Sequence, residues 1–186
     1  MAIGHQGQYA KHESIPLYEI NNKKPLVGEG TWVAPSAEII GDVEIGKDCF
    51  IGFGAIIRGD FGKIVIGDGT LVEENVVIHS GSIVEIGNKV IIGHMVMIHD
   101  SIIKDHALVG MMSMLCTGST IGEWTIVAEQ SLVKKNQIIP ANKIYAGSPA
   151  REIGDIKDRH RSSLIEGQQA YVDMMDQYHK TFKRID

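Results

Sequence analysis

Residues 45–57, IGKDCFIGFGAII, carry isoleucine at positions 45, 51 and 57, so a large aliphatic side chain returns every six residues. Glycine or polar residues fill many of the positions between them. The spacing continues, with few exceptions, at Val33, Ile39, Ile45, Ile51, Ile57, Ile66, Val72, Ile78, Ile86, Ile92, Ile98, Ile103, Val109, Leu115, Ile121, Val127, Val133 and Ile139. A sustained period of six predicts an all-β fold, a parallel β-helix of hexapeptide repeats.

A second set of positions, four residues after each aliphatic one, is filled mainly by small side chains. Ala37, Cys49, Ala55 and Ser113 are examples. A large residue followed by a small one gives each short strand two inward positions, one that fills the centre and one that lets a corner close. We therefore expect the core to consist of these two sets, with Cys49 as a core residue.

The spacing of the repeat departs from six residues at three places. Two steps are too long, with three extra residues at RGDFGK (58–63) and two at HSGS (79–82), and the step from Ile98 to Ile103 is one residue short. Insertions into a solenoid commonly form protruding loops that carry function. We therefore expect function near these departures.

The pattern changes after residue 150, so we predict three parts. These are an N-terminal segment with a lead-in strand at 1–29, the β-helix at 30–150 and a C-terminal helix at 151–186. Spacings of three and four after Asp158 join Leu164, Gln168, Tyr171, Met175, Tyr178 and Phe182. This stripe predicts a helix, with Asp158 or Ser162 as its N-cap, that packs along the side of the β-helix.

Composition excludes several classes of function. The 186 residues are 44% hydrophobic with a formal net charge of −5, enough for one domain with a proper core. No run of Lys or Arg forms a basic stripe, so we expect a small-molecule partner, with no nucleic acid and no membrane. The chain shows no signal core and no run of about 20 apolar residues, which favours the cytoplasm. Two cysteines make no disulfide framework.

Two histidines five residues apart, His94 and His99, lie in the aliphatic stretch IIGHMVMIHD (91–100). Five is the wrong spacing for one face of a strand or of a helix, so they should serve two different sites. Counting through the insertions places Arg58, His79, His99 and Cys116 in one outward column with a step of about 4.8 Å. His94 lies round a corner.

A metal bound at about 2.1 Å needs its imidazoles to converge on one point. Stacked His79 and His99 can converge within a chain, whereas His94 cannot easily join them. A cyclic homotrimer, in which His94 of one subunit meets His79 and His99 of the next, solves this problem. The repeat aligns no second histidine with any of the other histidines, which are His5, His12, His106, His160 and His179.

These features resemble a known family. The repeat is similar to the left-handed β-helix of the hexapeptide-repeat superfamily, which has three sides per coil. Within it, RGDFGKIVIGDGT (58–70), VVIH (76–79) and GHMVMIH (93–99) resemble the γ-class carbonic anhydrases and their relatives. The chain is most similar to the short-loop branch linked to phenylacetate and carnitine metabolism, some of whose members are regarded as CoA-thioester hydrolases.

The resemblance implies a role for each matching residue. It makes His79, His94 and His99 ligands of Zn²⁺, with Fe²⁺ or Co²⁺ possible, and Arg58 and Asp60 a salt bridge at the trimer interface. A metal hydroxide held by the three histidines would then hydrate CO₂ reversibly.

Other matches place further residues near the metal. AYVDMMDQY (170–178) resembles a segment that brings Tyr171 and Asp173 to the site. Glu73 stands where the family carries a glutamine that bonds the metal-bound water, and Leu71 where it carries an asparagine. A carboxylate at position 73 can orient or deprotonate that water, but its charge opposes a bicarbonate product. Glu73, Tyr171, Arg58 and Asp60 are the predicted catalytic residues.

Three alternatives remain open. A metal-dependent CoA-thioester hydrolase would use the same metal, with Phe61 and nearby methionines holding an acyl group. A hexapeptide acyltransferase would take an acyl-CoA and use a single histidine as base, without a metal. A non-catalytic binding or assembly protein would keep the site as a relic, which Glu73 and Leu71 favour.

Overall fold

A computed structural model describes residues 15–185; His5 and His12 lie outside them. The described residues form 20 strands and one helix, arranged as a parallel solenoid of about seven coils with three faces. The predicted fold class, an all-β left-handed parallel β-helix with a C-terminal helix on its side, is confirmed.

Three stacks of short parallel strands make the faces. The first face contains β1 (Leu17–Tyr18), the first halves of β4 (Glu38–Ile45) and β6 (Ile56–Ile66), β8 (Val77–His79), β11 (Met97–His99), β14 (Met114–Leu115) and β17 (Leu132–Val133). The second contains β2 (Leu26–Val27), the second halves of β4 and β6, β9 (Ile83–Ile86), β12 (Ile102–Ile103), β15 (Thr120–Ile121) and β18 (Ile138–Ile139).

The third face contains β3 (Trp32–Val33), β5 (Phe50–Ile51), β7 (Leu71–Val72), β10 (Ile91–Ile92), β13 (Leu108–Val109), β16 (Ile126–Val127) and β19 (Lys143–Ala146). A final strand, β20 (Arg151–Asp155), pairs antiparallel with β19. Residues 151–155, predicted as part of the C-terminal helix, are therefore a strand. The helix α1 (Asp158–Thr181) follows it.

The two predicted sets of inward residues form the core. Every large aliphatic position of the six-residue repeat from Val33 to Ile139 is buried, as are the small positions such as Ala37, Cys49 and Ala55. Small polar residues at the corners bond to the neighbouring coil: the Thr70 hydroxyl donates to the Gly87 carbonyl at 2.7 Å and that of Ser113 to the Ala128 carbonyl at 3.0 Å. These bonds satisfy polar groups that face the interior.

The first long departure from the repeat does not form a protruding loop. Residues 58–63 lie inside β6, which bends round a corner and pairs with β8 by its first half and β9 by its second. The extra residues lengthen the strand and do not form a loop. The Phe61 side chain, which is 75% exposed, projects from this strand. The second departure is held by Asp100, whose Oδ1 accepts from the Gly81 and Ser82 amides at 2.8 Å each.

Helix α1 lies along the third face and runs back toward the first coils. Its predicted stripe packs inward, with Leu164 and Met175 buried and the Tyr171 ring 5.0 Å from that of Phe50. The N-cap is Lys157, not Asp158 or Ser162, and its amide donates to His160 Nδ1 at 3.0 Å. Among residues 15–185, no helix is long and apolar enough to cross a membrane.

The two isoleucines of β18, Ile138 and Ile139, differ strongly in burial. Ile139 is 1% exposed and Ile138 is 73% exposed. We expect Ile139→Ala to lower the free energy of unfolding by about 2–5 kcal/mol, because it removes buried methyl groups and leaves a cavity. Ile138→Ala should change it by less than about 0.5 kcal/mol. Urea unfolding of the two variants measures both values, and equal losses would contradict the inward assignment of the repeat.

Candidate functional site

The predicted column of outward residues exists on the first face. Arg58 pairs with His79, and His79 with His99, on consecutive coils of β6, β8 and β11. The imidazole rings of His79 and His99 lie 5.1 Å apart between centroids, at an interplanar angle of 71°. Leu115 pairs with Ile98, so half-buried Cys116 continues the column. The fold therefore brings two of the three predicted ligands together within one chain.

Asp60 orients the His79 ring. Its Oδ1 lies 3.1 Å from His79 Nε2, and its Oδ2 accepts from Arg58 Nη1 at 2.5 Å. Partial burial tends to raise the pKa of Asp60, but hydrogen bonds from Arg58 and His79 outweigh it and hold that pKa below its ordinary value. The Arg58–Asp60 salt bridge forms within one chain, and His79 keeps Nδ1 for another partner.

His99 is oriented by a carboxylate and a hydroxyl. Its Nδ1 lies 3.2 Å from Asp100 Oδ2 and 3.1 Å from Thr117 Oγ1, which leaves Nε2 for another partner. Burial tends to raise the pKa of Asp100, but the Ser82 and Gly81 amides outweigh it and lower that pKa. A carboxylate that holds the second nitrogen of an imidazole is the usual support of a metal-ligating histidine.

His94 lies at the corner between the third and first faces, apart from the other two histidines. Its amide donates to Glu73 Oε2 at 3.0 Å, its Nε2 lies 3.1 Å from the same oxygen, and its Nδ1 lies 2.7 Å from Glu74 Oε2. Within residues 15–185 of one chain, no group of three or more His, Cys, Asp or Glu side chains could hold a metal.

Glu73 and Tyr171 connect this corner to α1. Glu73 is only 8% exposed and is hydrogen-bonded to the Tyr171 hydroxyl. Burial raises the pKa of Glu73, although the nearby His94 lowers it in part. Burial and the Glu73 carboxylate likewise raise the pKa of Tyr171. Asp173, in contrast, is exposed and accepts from Gln169 Nε2 at 2.8 Å, so it does not reach Glu73.

Three residues that contact the site histidines were not predicted from the sequence: Glu74, Asp100 and Thr117. Each of them is adjacent in sequence to a predicted site residue or follows the column, so the register of the repeat was the available signal. The register of the repeat did not predict these contacts, because Asp100 and Thr117 reach the His99 ring only where the chain turns a corner. The donor set, imidazoles oriented by carboxylates, fits Zn²⁺, Fe²⁺ or Co²⁺.

Comparison with known proteins agrees with this architecture. A family profile described as bacterial transferase hexapeptide (six repeats) matches residues 24–59. The carnitine operon protein CaiE of Proteus sp. is 35% identical over 147 residues, which cover 78% of this chain and 75% of that protein. This chain belongs to the hexapeptide-repeat family.

Other relatives in the hexapeptide-repeat family include carbonic anhydrases. The mitochondrial γ carbonic anhydrase 2 of Arabidopsis thaliana is 34% identical over 91% of this chain, which spans 66% of that protein. A hexapeptide transferase family protein from Anaplasma phagocytophilum has a TM-score of 0.85 at 31% identity, covering 88% of this chain and 98% of that one. The N-acyltransferase AntD of Bacillus cereus, 21% identical with a TM-score of 0.66, shares the fold alone.

Proposed function

We propose that this hexapeptide-repeat protein is a metal-dependent enzyme of the γ carbonic anhydrase type that hydrates CO₂ reversibly at the seams of a homotrimer. The observation that carries the proposal is the His79–His99 pair, whose rings are 5.1 Å apart and are each oriented by a carboxylate. The identity to the Arabidopsis thaliana carbonic anhydrase supports the same activity.

The proposed ligands are His79 and His99 of one subunit and His94 of the next. Zn²⁺, or Fe²⁺ or Co²⁺ in its place, would supply a Lewis acid that lowers the pKa of a bound water to about 7. The chain's own contribution is orientation. Asp60 and Asp100 fix the rings of His79 and His99, and Glu74 holds Nδ1 of His94, whose Nε2 would exchange Glu73 for the metal.

Glu73 and Tyr171 would act on the water and the product. Glu73 contacts His94, so it would lie near the reacting water and could orient it by a hydrogen bond, and the Tyr171 hydroxyl fixes the orientation of that carboxylate. The negative charge of Glu73 also opposes the bicarbonate product. We therefore infer a slower hydratase than one with a neutral residue at this position.

Two measurements on the purified protein test this function. Elemental analysis combined with the mass of the oligomer should find about one metal per subunit in a trimer. Stopped-flow CO₂ hydration at two pH values should show activity that a chelator removes and added metal restores. A fully active metal-free protein would overturn the proposal.

A thioesterase is the second candidate, because an exposed aromatic ring lies beside the histidine pair. The Phe61 ring, 75% exposed, lies 6.1 Å from that of His79. CO₂ needs no such apolar surface, whereas an acyl chain does. Assays against a panel of CoA esters, run beside CO₂ hydration, separate the two, and hydrolysis without hydration would reverse the ranking.

An acyltransferase is the third candidate. It is supported by the likeness to the Anaplasma phagocytophilum hexapeptide transferase family protein. Such an enzyme needs one histidine as a base and no metal, so the oriented second histidine would have no role. Acyl transfer that continues after complete metal removal would favour this candidate. Because the relatives include mitochondrial proteins, a cytoplasmic location stays a prediction.

A further inference from the structure

A narrow space lies between the third face and the first half of α1. It has a volume of about 370 Å³ and an almost wholly apolar lining. The residues on its floor belong to successive coils and pair directly in register: Leu71, Ile91, Leu108 and Ile126. Leu164 and Gly167 of the helix form the opposite wall, with His160 and Ser163 on the same side. We call this space the helix slot.

A glycine in the middle of the helix keeps the slot open. Gly167 is the tenth residue of the 24-residue α1, a position in the helix interior where glycine destabilises a helix relative to alanine. Its backbone is ordinary helix, and an added Cβ would meet only Ile91 Cδ1, at 3.9 Å. Neither backbone conformation nor close packing therefore requires glycine here. Its effect is to leave the space above Ile91 empty.

One end of the slot is polar. Glu73 and Tyr171, which are hydrogen-bonded to each other, lie there, and Glu73 is only 8% exposed. An apolar cavity with a few polar groups at one end, in the size range of roughly 300–1,000 Å³, is the usual composition of a small-molecule site. The Glu73 carboxyl disfavours a carboxylate head group and accepts hydrogen bonds from a neutral one.

We propose that the helix slot binds the short aliphatic chain of a small molecule whose head group is a neutral amide and donates a hydrogen bond to Glu73, beside Tyr171. Leu71, which is apolar and buried, has a role in this proposal as part of the floor of the slot. Binding in the slot is independent of any metal. Its use by a substrate rests on the proposed function, because Glu73 also contacts His94.

Titration calorimetry with a series of straight-chain amides, from propanamide to octanamide, tests the slot on the full-length protein. Affinity should rise about fourfold per added CH₂ until the slot is full. Hexanoate should bind more weakly than hexanamide. Affinity that does not depend on chain length would overturn the proposal.

Substitutions of the helix localise the binding. Gly167→Leu places a side chain over Ile91 and should weaken hexanamide binding by about 10-fold or more, the loss typical of a misplaced methylene in an apolar pocket. Ala170→Leu adds bulk at an exposed position of the same helix and should leave binding unchanged. Gly167→Ala, whose Cβ makes only an ordinary contact, should fold normally and weaken binding less.

The two proposals fail in different ways. Hexanamide binding that is equal in Gly167→Leu and the unsubstituted protein would overturn the slot whatever the activity. Slot binding by a metal-loaded protein that shows neither hydratase nor esterase activity would keep the slot and sink the proposed function.

Discussion

An equal mixture of His79→Ala and His94→Ala subunits should recover about one quarter of the metal sites of the unsubstituted protein, although neither variant alone holds appreciable metal. The proposed site takes His94 from one subunit and His79 with His99 from its neighbour. In a randomly mixed trimer, a seam is complete only when the first subunit is the His79→Ala variant and the second is the His94→Ala variant.

Each variant alone should lose metal affinity by at least about 100-fold, since loss of a partner behind a ligand already costs about 10–100-fold. The experiment co-expresses the two variants with different tags and measures zinc per subunit and CO₂ hydration of the whole oligomer pool. Mixed oligomers isolated by both tags exclude the single-variant trimers, so in them the recovered fraction should be about one third.

A second mixture is the matched control. His79→Ala and His99→Ala remove ligands from the same side of each seam, so every site in their mixed oligomer lacks one histidine. We expect no recovery of metal from this pair. Recovery in the control, or none in the first mixture, would contradict a site shared between subunits.

The fold could be predicted from the repeat because two sets of positions have the same six-residue spacing. The large aliphatic residue and the small one four positions later both face the interior, so the register of each coil follows by counting. That counting also placed Arg58, His79 and His99 in one column, which is confirmed. The six-residue pattern could not predict that a strand is lengthened locally. The residues of RGDFGK stay within β6 because this strand continues to pair with β8 and then with β9.

The support of the site could be predicted only in part, because it depends on corners. Counting gives the face on which a residue lies but not where its side chain turns. The contacts of Asp100 with His99 and of Glu74 with His94 arise at such corners. The helix posed the same difficulty: Tyr171 reaches Glu73, whereas Asp173, two residues later, points to solvent and bonds Gln169.

Replacing the carboxylate at position 73 should speed the proposed reaction. Glu73→Gln keeps the size of the side chain and an oxygen that accepts from the His94 amide, but it removes a buried negative charge. We expect the rate of CO₂ hydration to rise roughly 10-fold. Two like charges 4 Å apart repel by about 4 kcal/mol at an effective dielectric constant near 20, and relief of only a part of this energy is enough for that increase. The variant also frees His94 Nε2, 3.1 Å from Glu73, from a competing carboxylate.

The stability of the metal-free protein gives a second readout of this substitution. Because burial raises the pKa of Glu73 in the folded state, its contribution to stability is present at low pH and is lost as the pH rises through that raised value. Glutamine has no such loss. The gain in Tm of Glu73→Gln should therefore be larger at about pH 8 than at about pH 4.

Glu74→Gln is the matched control for Glu73→Gln, since it neutralises the next carboxylate, which also contacts the His94 ring but is more exposed. Its charge is better screened by solvent, so the substitution should change hydration and the pH dependence of Tm less. If Glu73→Gln leaves a measurable hydration rate unchanged, Glu73 does not limit the reaction. If neither protein hydrates CO₂, the function as a hydratase gives way to a binding or assembly protein that retains the site without using it.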